Sequence, residues 1–153
     1  MFATSLANQT VRLSVAYNEA NVKIAVSHAG ITVGPDGATH QAFEDIALMR
    51  SIPGMVVLSP ADANQAYDAT IAAASHYGPV FLRMARGATD ITPNGDPGFE
   101  IGRSYEVTQG EDVALLATGS GVQLAVAAEK ELRSRGIRGT VVNVATIKPL
   151  DEK

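Results

Sequence analysis

A polar segment with interspersed glycines, SHAGITVGPDGATHQ at residues 27–41, holds the densest group of side chains that could do chemistry. It contains His28, Asp36 and His40. An imidazole can donate or accept a hydrogen bond near neutral pH, and a carboxylate can accept one from a hydroxyl group. Glycine lets the backbone approach a ligand closely. The segment therefore fits a site for a polar ligand, and it also fits a solvated surface loop.

Two arginines in the segment FLRMARG, Arg83 and Arg86, form a second group of candidates. A guanidinium can bind a phosphate through two parallel hydrogen bonds. Taken singly, each arginine is better explained by an ordinary surface position or an ion pair.

The elements predicted around these residues would bring them to one edge of a sheet. Hydrophobic periodicity and breakers predict alternating helices and strands. They are a helix over 4–18, a strand over 22–27, a loop over 28–39, a helix over 40–51, a strand over 55–58, a helix from Pro60 through Ser75 with Asp62 as N-cap, and a strand over 80–84. This order is typical of an α/β fold in which helices flank a parallel sheet. Ligands bind such sheets beyond the carboxyl ends of the strands, where His28 and Arg86 are expected.

The chain changes character after residue 87. Residues 1–87 are predicted to form one domain part, residues 88–103 a linker rich in glycine and proline, and residues 104–153 the start of a second α/β domain. Within the last part we expect strands over 104–107, 112–117 and 140–144, a helix over 121–135, and an unfinished segment over 147–150. A lone β-α-β unit has too few layers to bury its sheet. We therefore expect an internal piece of a larger protein, the alternative being a small complete domain.

Composition excludes several classes of protein. The 153 residues are 46% hydrophobic and 18% charged, which is enough to build a core, so disorder is not expected. The net charge of −4 does not favour binding to nucleic acid or to an anionic membrane. Cysteine is absent and the three histidines are scattered, so neither a disulfide nor a zinc site is predicted. Without a long apolar run or a signal peptide, the cytoplasm is the expected location.

Three weaker signals are assigned structural roles. Gly119-Ser120-Gly121 follows a strand, but Leu124 stands where a dinucleotide-binding motif needs its third glycine, so we predict a tight turn. His76 is expected to be structural at a helix end. Glu44 and Asp45 are interpreted as ordinary first-turn acids of the helix after His40.

Five segments together resemble transketolase, and most closely the separate C-terminal subunit of split transketolases. They are HAGITVGPDGATHQAFEDIALMRSIPGM, SPADANQA, FLRMARG, VALLATGS and TIKPLDE, and the resemblance runs along essentially the whole chain. It implies the second half of a thiamine-diphosphate-binding pyrimidine domain followed by the start of the C-terminal domain. Deoxyxylulose-phosphate synthase usually has Asp-Arg where this chain has Ser27-His28, and the β-subunits of 2-oxo-acid dehydrogenases diverge further in this loop. His28 therefore favours transketolase.

The resemblance also implies roles for single residues. Phe2 would pack on the aminopyrimidine ring of thiamine diphosphate as a flat apolar wall. His28 and Arg86 would hold the sugar phosphate, and Asp36 would accept a hydrogen bond from a substrate hydroxyl. His40 would lie near the reacting centre as the catalytic residue of this set, also contacting substrate.

Other parts of the family's machinery are expected outside these residues. By the resemblance, the cofactor-activating glutamate and the first of two aromatics precede Met1. The diphosphate and its Mg²⁺ would be bound mainly by a separate N-terminal subunit or domain. We therefore expect the chain alone to be inactive, and the intact enzyme to be a homo-oligomer or a heterotetramer. Two alternatives are a non-catalytic module that docks on the diphosphate-binding subunit and a fragment of 1-deoxy-D-xylulose-5-phosphate synthase.

Overall fold

The computed structural model describes residues 1–92 and 98–153, and it shows the predicted mixed α/β fold. The strands are β1 (Lys23–Val26), β2 (Val56–Leu58), β3 (Val80–Arg83), β4 (Tyr105–Thr108), β5 (Val113–Ala117), β6 (Gly139–Asn143) and β7 (Thr146–Lys148). The helices are α1 (Asn8–Thr10), α2 (Asp45–Ser51), α3 (Ala63–Ser75) and α4 (Gly121–Ser134). Two π-helical segments, Phe2–Leu6 and Val11–Ala16, flank α1, and Gly34–Asp36 forms a 3₁₀ turn.

The first sheet has the strand order β1-β3-β2-β7, and β1, β3 and β2 run parallel. Val57 and Phe81 face the N-terminal helical segment and α2, whereas Leu58 and Leu82 pack toward α3. Because both faces are covered, the strands are short runs of buried apolar residues rather than alternating ones. Val26 and Arg83 are register partners, so the ends of β1 and β3 reach the same edge of the sheet.

The helices predicted after residue 40 are present, but two of them begin later than expected, α3 at Ala63 instead of Pro60 and α2 at Asp45. Asp62 is the N-cap of α3, and its carboxylate accepts a hydrogen bond of 3.0 Å from the Gln65 N–H. The helix expected from residue 40 begins at Asp45, because Ala42 is held in a β-bridge with Gly30. Among the helices of residues 1–92 and 98–153, none is long and apolar enough to cross a membrane.

The second sheet has the strand order β4-β6-β5. β5 and β6 are parallel and are connected through α4, which is the expected β-α-β unit, and β4 joins β6 antiparallel. Val122 and Val126 of α4 pack on Val107 and Val141 of the sheet.

The segment expected to remain unfinished, residues 147–150, instead contributes to the first sheet. Its strand β7 pairs antiparallel with β2. The Asn143 side chain adds a buried hydrogen bond of 3.0 Å to Gln65 of α3. Residues 93–97 of the predicted linker lie outside the described residues, whereas Phe99 and Ile101 pack on the α3 side of the first sheet.

Candidate functional site

A cavity of about 340 Å³ opens between the N-terminal π-helical segment and the loop that follows β1. Four of the five residues assigned a role from sequence line it, and these are Phe2, His28, Asp36 and His40. Val26 and Val33 supply apolar wall, so the cavity combines a few polar groups with a hydrophobic lining, as is usual for small-molecule sites.

The backbone around His28 is fixed by the sheet. The Met84 N–H donates to the Val26 carbonyl at 2.9 Å, and the Ala29 N–H donates to the Met84 carbonyl at 3.2 Å. Between these bonds His28 adopts a left-handed backbone with φ of 64°. This conformation is uncommon for a residue with a side chain. It turns the chain out of the sheet at the cavity, where the Ser27 hydroxyl and His28 Nδ1 share a hydrogen bond of 2.8 Å.

The loop between β1 and α2 is closed at its base by its own backbone. Gly30 and Ala42 exchange hydrogen bonds of 3.1 and 3.4 Å in an isolated antiparallel bridge. Inside the loop, the His40 N–H donates to the Gly37 carbonyl at 3.0 Å. The bridge brings His28 and His40, which are twelve positions apart, back to one cavity.

His40 is oriented by an aromatic neighbour and a hydroxyl group. Its ring meets the Phe2 ring edge-to-face, with centroids 5.1 Å apart and an interplanar angle of 77°. Its Nδ1 and the Thr39 hydroxyl share a hydrogen bond of 2.9 Å. Phe2 is still 54% exposed, so one side of its ring is available to a flat ligand.

Arg86 reaches the cavity through Asp36 rather than lining it. Its guanidinium lies 3.7 Å from the Asp36 carboxylate, and its Nη1 donates to the Val33 carbonyl. Both side chains of the pair are about two-fifths exposed, so solvent weakens the pair and leaves the guanidinium accessible to an anion. The predicted imidazole, carboxylate and guanidinium groups therefore lie together at one edge of the sheet.

The two acids of α2 do not share one ordinary role. Glu44 is the N-cap residue, and the pKa of its carboxyl is lowered by hydrogen bonds from the Ser5 hydroxyl and the Phe43 N–H. Asp45 is 2% exposed, lines the cavity, and accepts a hydrogen bond of 2.7 Å from Arg83 Nε. Asp45 is thus the expected first-turn acid, but it is buried and paired instead of being an ordinary solvated one, and Glu44 precedes the first turn. The available signal for the burial of Asp45 was its helical spacing to Met49, which places it on the buried face.

The described residues suit a flat aromatic group better than a metal ion. The exposed Phe2 ring beside the apolar wall fits a flat heterocycle. In the described ranges 1–92 and 98–153 no three acidic or histidine side chains are grouped to hold a metal ion. The exposed Phe2 ring and the apolar wall therefore offer a surface to an aromatic group.

Two structural assignments lie away from the cavity. The Gly119-Ser120-Gly121 segment is a tight turn into α4, where the Gly119 N–H donates to the Ser59 carbonyl at 3.1 Å. His76 is the C-cap of α3, and its carbonyl accepts a hydrogen bond of 2.7 Å from Lys23 Nζ.

Two domain families match the sequence of this chain. The transketolase pyrimidine-binding domain matches residues 1–91, and the transketolase C-terminal domain matches residues 102–153. The two matches lie on either side of residues 93–97.

Individual relatives resemble the chain over nearly its full length. A protein of Methanocaldococcus jannaschii, named as a transketolase C-terminal section, is 45% identical to the chain. The match covers 100% of the chain and 49% of that protein. A 6-deoxy-6-sulfo-D-fructose transketolase subunit of Clostridium sp. (strain MSTE9) is 40% identical over 99% of the chain and 47% of that protein. The chain thus spans about half the length of these relatives. A 1-deoxy-D-xylulose-5-phosphate synthase of Desulforudis audaxviator is 39% identical over 86% of the chain and 21% of that protein.

The fold is similar to that of solved transketolases. A split-gene transketolase described as an inactive β4 tetramer superimposes with a TM-score of 0.89 at 41% identity, covering 98% of this chain and 48% of that chain. A mutant transketolase from Pichia stipitis in complex with fructose 6-phosphate superimposes with a TM-score of 0.86 at 33% identity. The match covers 97% of this chain and 22% of that chain.

Proposed function

The chain belongs to the transketolase family, and we propose that it is the substrate-facing part of an enzyme that moves a two-carbon ketol unit. The unit passes from a ketose phosphate to an aldose phosphate, so one carbon–carbon bond breaks in the donor and one forms in the acceptor. The observation that carries this proposal is the single cavity that collects Phe2, His28, Asp36 and His40. They are four of the five positions for which the family resemblance implies contacts with cofactor or sugar, and the fifth, Arg86, lies 3.7 Å from Asp36.

Each side chain then has a chemical task that suits its surroundings. His28, directed to the cavity by its left-handed backbone, hydrogen-bonds the sugar phosphate. Arg86 adds a charge-assisted contact to the phosphate, and Asp36 accepts a hydrogen bond from a sugar hydroxyl. His40, held against Phe2, donates a hydrogen bond to the oxygen of the reacting two-carbon unit.

The cofactor of this proposal is thiamine diphosphate, on which the pyrimidine-domain family depends. When bound, it supplies the carbanion and the electron sink for cleavage of the carbon–carbon bond. From this chain Phe2 provides one wall for its aminopyrimidine ring. The diphosphate and its Mg²⁺ are assigned to a partner subunit or domain.

The proposed working form is a complex in the cytoplasm. A diphosphate-binding N-terminal transketolase subunit pairs with this chain, in a homo-oligomer or a heterotetramer. Alone the 153 residues are inactive, since the family's cofactor-activating glutamate has no counterpart among them. The resemblance to transketolase subunits and sections supports the need for a partner.

Reconstitution tests the proposal directly. The purified chain and an assembly of its complete subunit with the diphosphate-binding subunit are each given thiamine diphosphate, Mg²⁺, xylulose 5-phosphate and ribose 5-phosphate. We expect sedoheptulose 7-phosphate and glyceraldehyde 3-phosphate from the assembly only. Turnover by the chain alone would overturn the predicted inactivity, and an inactive assembly would favour the non-catalytic docking module.

A second candidate reaction is that of 1-deoxy-D-xylulose-5-phosphate synthase, because a relative of that name is 39% identical. Supplying pyruvate and glyceraldehyde 3-phosphate to the same assembly separates the two. Release of carbon dioxide with formation of deoxyxylulose phosphate would favour the synthase. Ketol transfer without dependence on pyruvate is expected, in keeping with His28 at the position where the synthase usually has arginine.

A further inference from the structure

A buried ion pair lies beneath the loop that carries the candidate site. Arg83 Nε donates to Asp45 Oδ2 at 2.7 Å, and the two side chains are only 17% and 3% exposed. The other carboxylate oxygen, Oδ1, accepts a hydrogen bond of 3.0 Å from the Ile46 N–H. Both oxygens of Asp45 are thus engaged, and the pair joins the end of β3 to the start of α2.

The guanidinium of Arg83 also packs at two backbone turns. A Cβ placed on Gly30 would lie 3.7 Å from Nη2, and one placed on Gly119 would lie 3.9 Å from Nη1. Gly30 is where the site loop leaves the first sheet, and its bridge to Ala42 closes the loop. The Arg83 guanidinium therefore lies beside the base of the loop on one side and beside the turn into α4 on the other.

This placement separates Arg83 from Arg86. Arg83 Nε is committed to a buried carboxylate, so a phosphate would have to compete with Asp45 for it. Arg86 is more exposed and its carboxylate partner is farther away, at 3.7 Å. The phosphate contact is better suited to Arg86, which leaves Arg83 without a direct role toward substrate.

We propose that Arg83 and Asp45 are a positioning pair that holds the loop of residues 28–42 in the conformation that binds substrate. The inference rests on the proposed function for its substrate. The pair fixes both ends of the loop, because Arg83 lies at Gly30 and Asp45 follows Ala42 by three residues. His28, Asp36 and His40 all belong to this loop.

A positioning role predicts a particular kinetic signature. If the loop is ordered in only a fraction of the molecules, the apparent affinity for sugar phosphate is the intrinsic affinity multiplied by that fraction. Bound sugar phosphate would restore the ordered loop, so turnover at saturation would change little. In the assembled enzyme, Arg83→Met and Asp45→Asn should each raise KM for xylulose 5-phosphate by about tenfold, with kcat within about twofold.

Two further variants test whether the pair acts as one unit. Because residues in direct contact are coupled, the double variant Asp45→Asn/Arg83→Met should raise KM no more than either single variant. Arg83→Lys keeps the charge but loses the planar fork, so its KM should lie between those of the wild type and Arg83→Met.

The control is another buried carboxylate paired to an arginine, far from the cavity. Glu129 of α4 is 4% exposed and lies 2.6 Å from Arg133. Arg133 is more exposed than Arg83, at 52% against 17%, but Arg133→Met also leaves a buried carboxylate without its arginine, and it should leave KM unchanged. A KM increase shared by both methionine variants would mean general destabilisation and would overturn the positioning role, as would a fall in kcat with KM unchanged.

Hydrogen exchange of the same assemblies supplies a readout that needs no activity. Arg83→Met should speed amide exchange within residues 28–42 by about tenfold and leave the second sheet unchanged, because opening is local. Arg133→Met should leave residues 28–42 protected. If the wild-type assembly shows no ketol transfer but Arg83→Met speeds exchange in the loop, the proposed function is wrong. The positioning role of the Arg83–Asp45 pair is then still supported. Unchanged amide exchange in residues 28–42 of Arg83→Met would overturn the positioning role, whether or not the assembly transfers a ketol unit.

Discussion

His28 is the residue at which backbone conformation and proposed chemistry meet. Its left-handed φ of 64° lies between two hydrogen bonds that tie the ends of β1 and β3 together. A side chain in this region costs free energy, and such strain persists only where the surrounding structure holds it. Glycine would adopt the same turn more easily, so the presence of histidine at this position supports a role for the imidazole.

Substitution of His28 should therefore separate stability from binding. Removal of the imidazole in His28→Ala and His28→Gly should weaken sugar-phosphate binding to a similar degree. His28→Gly should be more stable than His28→Ala by about 1 kcal/mol, since glycine tolerates positive φ. Denaturant unfolding of both variants measures the difference.

Ala29 provides the matched control because its φ is not positive. There the order should reverse, with Ala29→Gly less stable than wild type by roughly 1 kcal/mol. Equal stabilities for His28→Ala and His28→Gly would contradict the left-handed backbone.

At the scale of elements, α2 and α3 differ in how their first turns are capped. The N-cap residue of α2, Glu44, makes no side-chain cap hydrogen bond. α3 has a side-chain cap, because Asp62 accepts hydrogen bonds from Gln65 N–H at 3.0 Å and from Thr92 N–H at 2.8 Å. Burial would raise the pKa of Asp62, but these hydrogen bonds outweigh it and the pKa is lowered from its ordinary 3.8. The cap thus joins the start of α3 to residue 92 and depends on the ionised carboxylate.

The stability given by the Asp62 cap should depend on pH. A carboxyl group with a lowered pKa in the folded state stabilises the protein above its unfolded pKa, and the stabilisation is lost as pH falls through the folded pKa. Asp62→Ala should lose about 1 kcal/mol near neutral pH, and the deficit should shrink below an ordinary pKa of 3.8. Denaturant unfolding at several pH values measures this.

Asp62→Asn is the control, because asparagine also caps helices but does not titrate. Its difference in stability from Asp62→Ala should stay constant with pH. A pH-independent deficit of Asp62→Ala against wild type would show that ionisation of Asp62 does not contribute.

At the scale of the whole molecule, the two sheets are joined by backbone contacts at Ser59 as well as by β7. The Ser59 N–H donates to the Ala145 carbonyl at 2.8 Å, and the Ser59 carbonyl accepts from Gly119 N–H at 3.1 Å. A Cβ on Gly119 would lie 2.8 Å from Ser59 Oγ. This oxygen is fully buried and has no hydrogen-bond partner among the described residues. The junction therefore has no room for a larger residue at position 119.

Gly119→Ala should lower the free energy of unfolding by about 2 kcal/mol, from overpacking and from its φ of +55°. Adding Ser59→Ala should recover part of the loss, because it removes the oxygen that the new methyl group would strike. Gly121→Ala is the control, since a Cβ there meets nothing within 4 Å. Thermal unfolding of the four proteins measures these effects, and a full loss retained in the double variant would exclude the clash.

The amino-acid sequence by itself determined the local structure and the identity of the family. Runs such as Val56–Leu58 and the cap at Asp62 are set by neighbours in the chain, so periodicity and capping rules located them. The resemblance singled out four of the residues that line the cavity, because motifs keep their spacing along the chain.

Only the tertiary structure decided how distant segments meet. Asp45 and Arg83 are 38 positions apart, and β7 crosses from the second part of the chain to pair with β2. The left-handed backbone of His28 depends on the strand beside it rather than on its own preference. Such contacts depend on how strands and helices pack in three dimensions, and local propensity holds no information about partners far along the chain.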